Sequence, residues 1–355
     1  METLEDIDEV VHEPDREFVE STNVWQFMQD HDIDDYEELI ERTTTEIDGE
    51  PASGVERFWD RLPDELGSEV DEPYDAVRDD SDGPQFSEWY PGGKINAAHN
   101  VLDRHAARDA GTRNHVACIW EGEPGDVRRI TFQDLRTQAD RVANALEERG
   151  IETGDTVGLY MPMVPEVIAI LYGCLKVGAI AVPIFSGFGV DAVETRLADA
   201  DCSLLFTADG FYRRGEEVYL KDTADEAIGA AGCVEHTIVY DRIGASDPDS
   251  GVDVLWHEDR DEWWAESVAD ADDHYDTTSL PSQHPAMLLY SSGTTGQPKG
   301  IVQPHAGALL QSAKEIYFGF DHQPSDRFFW VSDIGWMMGP WTLIGNHAFG
   351  GTMFM

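Results

Sequence analysis

The sequence predicts an α/β fold, with mainly parallel sheets flanked by helices and an irregular helical extension in front. Three observations predict it. From about residue 115, short β-rich runs (HVACIW, TVGLY, IAVPIF, SLLFT, HTIVY and AMLLYS) alternate with helical periods. One of the intervening helices is apolar on every side, as a helix held between two layers must be. Residues 1 to about 85 are instead acidic and turn-rich, with too few apolar side chains for a core of their own. Two regions are expected: an extension over residues 1–110 and the α/β domain over 111–355.

Taken in order, SGVERFWDRL sets Val55, Phe58, Trp59 and Leu62 on one helical face. DSDGPQFSEWYPGGKINAAHN then supplies turn residues and aromatics, with a helix start near Asn96. In TFQDLRTQADRVANALEERG, Thr131 is the N-cap, and Leu135, Ala139, Val142 and Leu146 share a face. Gly150 is the stop. PEVIAILYGCLKVG is the buried helix. Residues 242–285, with SDPDSG and ADADDHYD, form an acidic link. GGTMFM reads as an apolar strand, either a closing edge or a sign that the sequence is a fragment, and the fragment is the favoured expectation.

Of 355 residues, 71 are Asp or Glu and 24 are Lys or Arg, a formal charge of −47. Such a surface repels phosphate backbones and anionic lipid, so neither nucleic acid nor membrane is an expected partner. The acids run through every segment and lysines number five, a pattern resembling proteins of extreme halophiles. Cys118, Cys174, Cys202 and Cys233 lack metal-type spacing and sit in or beside apolar runs, so they read as buried, reduced thiols. METLEDIDEV carries no secretory signal, and no run approaches about 18 apolar residues. A soluble, cytoplasmic protein is expected.

Against this background YSSGTTGQPKG, from Tyr290 to Gly300, holds no acid. Glycines at 293 and 296 let backbone N–H groups converge into an anion-binding concavity. Ser291, Ser292, Thr294 and Thr295 add donors, and Lys299 adds a charge. The Walker A spacing is not met, because Gly293 and Gly296 are too close and Lys299 is followed by Gly300.

This stretch resembles the phosphate-binding signature of adenylate-forming (AMP-binding) acyl-CoA synthetases, with Ser291 in place of the usual threonine. FWDRLPDELG, EPYDAVRDDSDGPQFSEWYPGGKINAAHNVLDRHA, WEGEPGDVRRITFQDL, GLYMPMVPE, GFGVDAV, TADGFYRRG and FFWVSDIGWMMGP resemble, in order, the acetyl-CoA synthetase branch. The resemblance covers nearly everything after residue 50. It implies the N-terminal part of that architecture, incomplete at its C-terminus, and a two-step reaction using ATP, Mg2+ and coenzyme A on an acetate-like carboxylic acid. It further implies that Ser291, Ser292, Gly293, Thr294, Thr295, Gly296 and Lys299 hold ATP phosphates. Arg213, Arg214 and Gly187 fall where the family contacts coenzyme A, although the family's second arginine position is Glu216 here. Trp336, Met337 and Met338 fall at the acyl pocket, where the acetate-specific branch has smaller residues after the tryptophan. His284 and His305 flank the loop and read as structural. The family's later elements have no counterpart in these 355 residues: the acid that holds the ribose, the magnesium-binding acid and the lysine that assists adenylation. No catalytic residue and no metal ligand is assigned, and the fragment alone is expected to be inactive. A medium-chain or other adenylating ligase, and a non-catalytic nucleotide-binding fragment, are the alternatives.

Overall fold

A computed structural model describes residues 12–45, 54–291, 298–323 and 325–355. The N-terminal region begins with α1 (Arg16–Ser21), α2 (Asn23–Asp30) and α3 (Tyr36–Thr44), each started by a side chain that accepts a backbone N–H: Asp15, Thr22 and Asp35. α4 (Gly54–Glu65) follows. Phe27, Met28 and Ile33 pack against Phe58 of α4 and against Phe318, far along the chain. Asn23 completes this anchorage, its backbone N–H reaching Asp321 Oδ1 (2.7 Å) and its amide reaching the Tyr317 carbonyl (2.9 Å). A short antiparallel pair, β1 (Arg78–Asp79) and β2 (Glu88–Trp89), comes next. Helical backbone starts at Ala97, directly after Asn96, and passes through a π-helical stretch into α5 (Arg104–Ala106). Asn96 is buried and donates to the carbonyls of Leu175 and Thr278.

β3 (Val116–Glu121) and β4 (Val127–Thr131) form a hairpin that runs into α6 (Phe132–Glu148). Thr131 caps α6 as the sequence predicts, in a reciprocal box with Asp134, and Gly150 turns left-handed beyond its end. After β5 (Thr156–Leu159), every residue of α7 (Pro165–Val177) is buried. The alternation continues with β6 (Ile180–Pro183), α8 (Val190–Asp199) and β7 (Leu204–Ala208). A second hairpin, β8 (Gly210–Arg213) with β9 (Glu216–Tyr219), precedes α9 (Leu220–Ala231) and β10 (His236–Tyr240). The acidic link contributes only β11 (Asp261–Trp263) and α10 (Trp264–Ser267). The last described elements are β12 (Pro285–Ser291), β13 (Lys299–Pro304), α11 (His305–Lys314), β14 (Arg327–Phe329), α12 (Met338–His347) and β15 (Thr352–Phe354).

All six runs predicted as strands are strands. The larger sheet has the order β11-β10-β7-β5-β6-β12-β13 and is parallel except for β13. The chain winds outward from β5 to β6 on one side and to β7 on the other, so the strand order reverses at β5. Parallel sheets of this kind form a crevice at that point, outside the carboxyl ends of the strands. The smaller sheet is β14-β15-β3-β4. Of the two readings of GGTMFM, the less favoured one, a closing edge, does not hold: β15 sits between β14 and β3. Cys118, Cys174 and Cys202 are buried, Cys233 is partly so, and all four are free thiols. No helix among the described residues is long and apolar enough to cross a membrane.

Candidate functional site

The loops leaving β5, β6, β7 and β10 rim one cleft of about 510 Å³, at the crevice the strand order creates. β5 delivers Pro162 and Met163, β6 delivers Phe185 and Ser186, and β10 delivers Arg242. The hairpin after β7 adds Phe211, Tyr212 and Arg213. Asp333 and Trp336 close the far side.

Asp333 organises that side. Its Oδ2 accepts the Ser186 hydroxyl (2.7 Å) and its Oδ1 accepts the Gly335 N–H (2.9 Å). Gly335 lies so close to the backbone of Phe185 that any side chain there would collide with it. This clasp sets the Trp336 ring 5.5 Å from Phe185 and 6.0 Å from Phe188. Burial holds Asp333 above the usual carboxylate range. Burial also pushes the Tyr160 hydroxyl, which donates to the Phe188 carbonyl, up to about 12.

Of the residues singled out in the sequence, the cleft brings Arg213 and Trp336 together, with Gly187 next to Ser186. Arg213 is exposed and has no hydrogen-bond or ion-pair partner among the described residues. Arg214 stands at the hairpin turn with φ of 56°, and the following N–H, of Gly215, donates to Glu123. Met337 is exposed. Met338 does not line this cleft; it lines a separate apolar recess of about 770 Å³ with Phe27, Phe58 and Trp341. Sequence reasoning missed Ser186, Arg242 and Asp333. Only their position at strand ends could have marked them.

Ser292, Gly293, Thr294, Thr295 and Gly296 lie outside the described residues. The two ends of their loop are fixed, because Ser291 on β12 stands opposite Lys299 on β13 in an antiparallel pair. β12 runs parallel to β6, so Ser291 lies at the carboxyl edge that also bears the crevice. Tyr290, the preceding residue, donates its hydroxyl to Asp199 (2.7 Å). The Arg196 guanidinium lies 5.4 Å from the Tyr290 ring and 4.4 Å from Phe188, joining the foot of the loop to the cleft wall. His305 accepts the Ala97 N–H (3.1 Å) and His284 bonds to the Gly178 carbonyl (2.8 Å). Both serve the scaffold. Among the described residues no three acidic, imidazole or thiol groups converge as a metal centre.

Comparison with known proteins agrees with this geometry. The family model for AMP-binding enzymes matches residues 103–355, and that for the acetyl-coenzyme A synthetase N-terminus matches residues 50–101. An acetyl-coenzyme A synthetase of Mycolicibacterium smegmatis is 40% identical over 284 residues, 79% of this chain and 29% of that protein. One from Streptomyces coelicolor is 40% identical over 278 residues, 78% of this chain and 41% of that protein. The chain thus spans well under half the length of these relatives. The solved acetoacetyl-CoA synthetase from Streptomyces lividans superposes with a TM-score of 0.82 at 25% identity, over 96% of this chain and 50% of that one. This chain therefore belongs to the AMP-binding enzyme family, alongside the acetyl-coenzyme A synthetases.

Proposed function

We propose that the chain carries the phosphate- and coenzyme-handling part of an AMP-forming acyl-CoA ligase acting on a short-chain, acetate-like carboxylic acid. The observation that carries this reading is the convergence on one sheet edge of the feet of the glycine-rich loop and the cleft holding Arg213 and Trp336. In the first step a substrate carboxylate oxygen attacks the α-phosphorus of ATP and pyrophosphate leaves. In the second, the coenzyme sulfur attacks the acyl carbonyl and AMP leaves. Ser291, Ser292, Gly293, Thr294, Thr295, Gly296 and Lys299 hold the β- and γ-phosphates, where donors and a cation stabilise the charge that develops on the leaving pyrophosphate. Arg213, Arg214 and Gly187 face the coenzyme. Trp336 walls the acyl group, with Met337 next to it in the chain, while Met338 opens on the separate recess. Mg2+ would enter with the ATP phosphates and shield their charge.

A second reading has its own support. Met338 borders the apolar recess beneath the N-terminal helices, so an acid longer than acetate could extend toward Phe27 and Trp341. The test, made in the full-length ligase, is ATP binding by calorimetry, together with pyrophosphate exchange driven by acetate, propionate, butyrate or hexanoate. Lys299→Ala should weaken ATP at least about tenfold, since one charged hydrogen bond is worth roughly 1.5–3 kcal/mol. Unaltered ATP affinity in that variant would remove the phosphate assignment. Exchange fastest with hexanoate would replace the acetate-like substrate by the longer one.

A further inference from the structure

Arg242 enters the cleft from the carboxyl end of β10, and its surroundings fix it more firmly than any other cation there. Its guanidinium lies 5.0 Å from the Trp120 ring and 5.1 Å from the Tyr212 ring, a position between two aromatic faces. Nη2 donates to Asp126 Oδ1 at 3.1 Å. The backbone just past β3 gives way to it: at Gly122 any side chain would collide with Asp126, Arg242 and Trp120 together. The backbone N–H of Arg242 is held as well, by Asp209 Oδ1 (2.7 Å). Among the described residues Nε and Nη1 have no acceptor.

Tyr212 links this group to Arg213, which follows it in the hairpin and lines the same cleft. Two arginines at one crevice, one preset and one free, suit a ligand bearing more than one phosphate, since guanidinium binds phosphate oxygens in pairs. Acids also stand nearby: Glu121, Glu123 and Asp333 line the cleft, and Asp126 pairs with Arg242. Asp126 is a partner 42% exposed to water, and Glu123 is engaged by the Gly215 N–H.

We propose that Arg242 is a second phosphate-binding arginine of this cleft, acting beside Arg213 on the phosphates of the coenzyme. The inference rests on the coenzyme reading above, and its test separates the two. Coenzyme A, 3′-dephospho-coenzyme A and pantetheine are titrated by calorimetry onto the chain and its variants at one fixed KCl concentration. Arg242→Gln should weaken coenzyme A about tenfold or more and leave pantetheine unchanged. A loss that disappears with the dephospho form assigns Arg242 to the 3′-phosphate, and a loss that persists assigns it to the diphosphate. Asp126→Asn supplies a reading that misfolding cannot imitate. It frees the guanidinium, so coenzyme A should bind several-fold tighter. If the unaltered chain binds no coenzyme A, the coenzyme reading itself falls. If it binds, and Arg213→Gln weakens it while Arg242→Gln and Asp126→Asn do not change it, Arg242 is a packing residue and only this inference falls. Equal weakening of pantetheine and coenzyme A in Arg242→Gln would also overturn it.

Discussion

Lys221 Nζ donates to Asp261 Oδ2 at 2.8 Å, and neither side chain touches solvent. The same ammonium reaches both oxygens of Asp225 and the carbonyl of Leu255 (3.0 Å), tying α9 to the acidic link and to β11. Arg260 also pairs with Asp225 and Asp261, so removing the ammonium leaves two buried carboxylates sharing one cation. Lys221→Met should therefore cost about 3–5 kcal/mol. Adding Asp261→Asn should recover part of that loss. Urea unfolding at fixed KCl measures both, and a loss below about 1 kcal/mol would show that the cluster is not needed.

Histidines inside the core make the fold sensitive to mild acid. Burial lowers His347 from 6.5 to about 4, and it lowers His305 to about 3. His347 sits between the Tyr172 hydroxyl and the Ala117 carbonyl, which its neutral ring satisfies together. A folded pKa below the unfolded one gives stability that is complete above about pH 6.5 and is lost as pH falls toward 4. A drop from 6.5 to about 4 corresponds to roughly 3 kcal/mol per group. Unfolding curves at pH 7.5, 6 and 5 should show a steady decline, with the His347 imidazole still neutral by NMR at pH 5. Protonation of that ring near 6.5 would contradict the assignment.

Asp333 behaves in the opposite sense. Burial raises its carboxyl, so its contribution is fully present below the unfolded pKa and fades as pH rises through the folded one. Asp333→Asn keeps an acceptor for Gly335 and a partner for Ser186 without the charge. It should raise Tm by about 2 °C or more at pH 7, and the difference should shrink toward pH 4. A variant less stable at pH 7, by a margin that does not change with pH, would mean that the charge itself is required.

Salt should stabilise the whole molecule. With a formal charge of −47, its exposed carboxylates repel one another over distances that added ions shorten to about 3 Å at 1 M. Tm should climb steadily between 0.1 and 2 M KCl. A flat or falling curve would rule out the halophile-like reading of the composition.

What the sequence revealed and what it hid follow from the range of each cause. The Thr131–Asp134 cap, the all-buried α7 and the six predicted strands arise from neighbours a few residues apart, and local spacing carries them. The loop motif at Tyr290–Gly300 carries a chemical signature in its own composition. The cleft is different, because its members meet only after the strand order is set. Arg242 follows β10 in an acidic link that looked featureless. Its importance comes from Trp120 and Gly122, which reach it through the other sheet. Met338 shows the same limit, since adjacency in sequence to Trp336 does not place two side chains in one pocket once α12 begins between them.

The place of β15 has a consequence for the order of assembly. Met353 and Phe354 pair with Cys118 and Ile119, and among the described residues β14 reaches that sheet only through β15. While the chain is being synthesised, the β3–β4 hairpin must wait with one edge bare until more than two hundred further residues have emerged. Contacts so distant in sequence close slowly, and an unpaired strand edge is a site for wrong partners in the meantime. The larger sheet can form first from strands close together in the chain, so the smaller sheet should be the last to gain hydrogen-exchange protection during refolding.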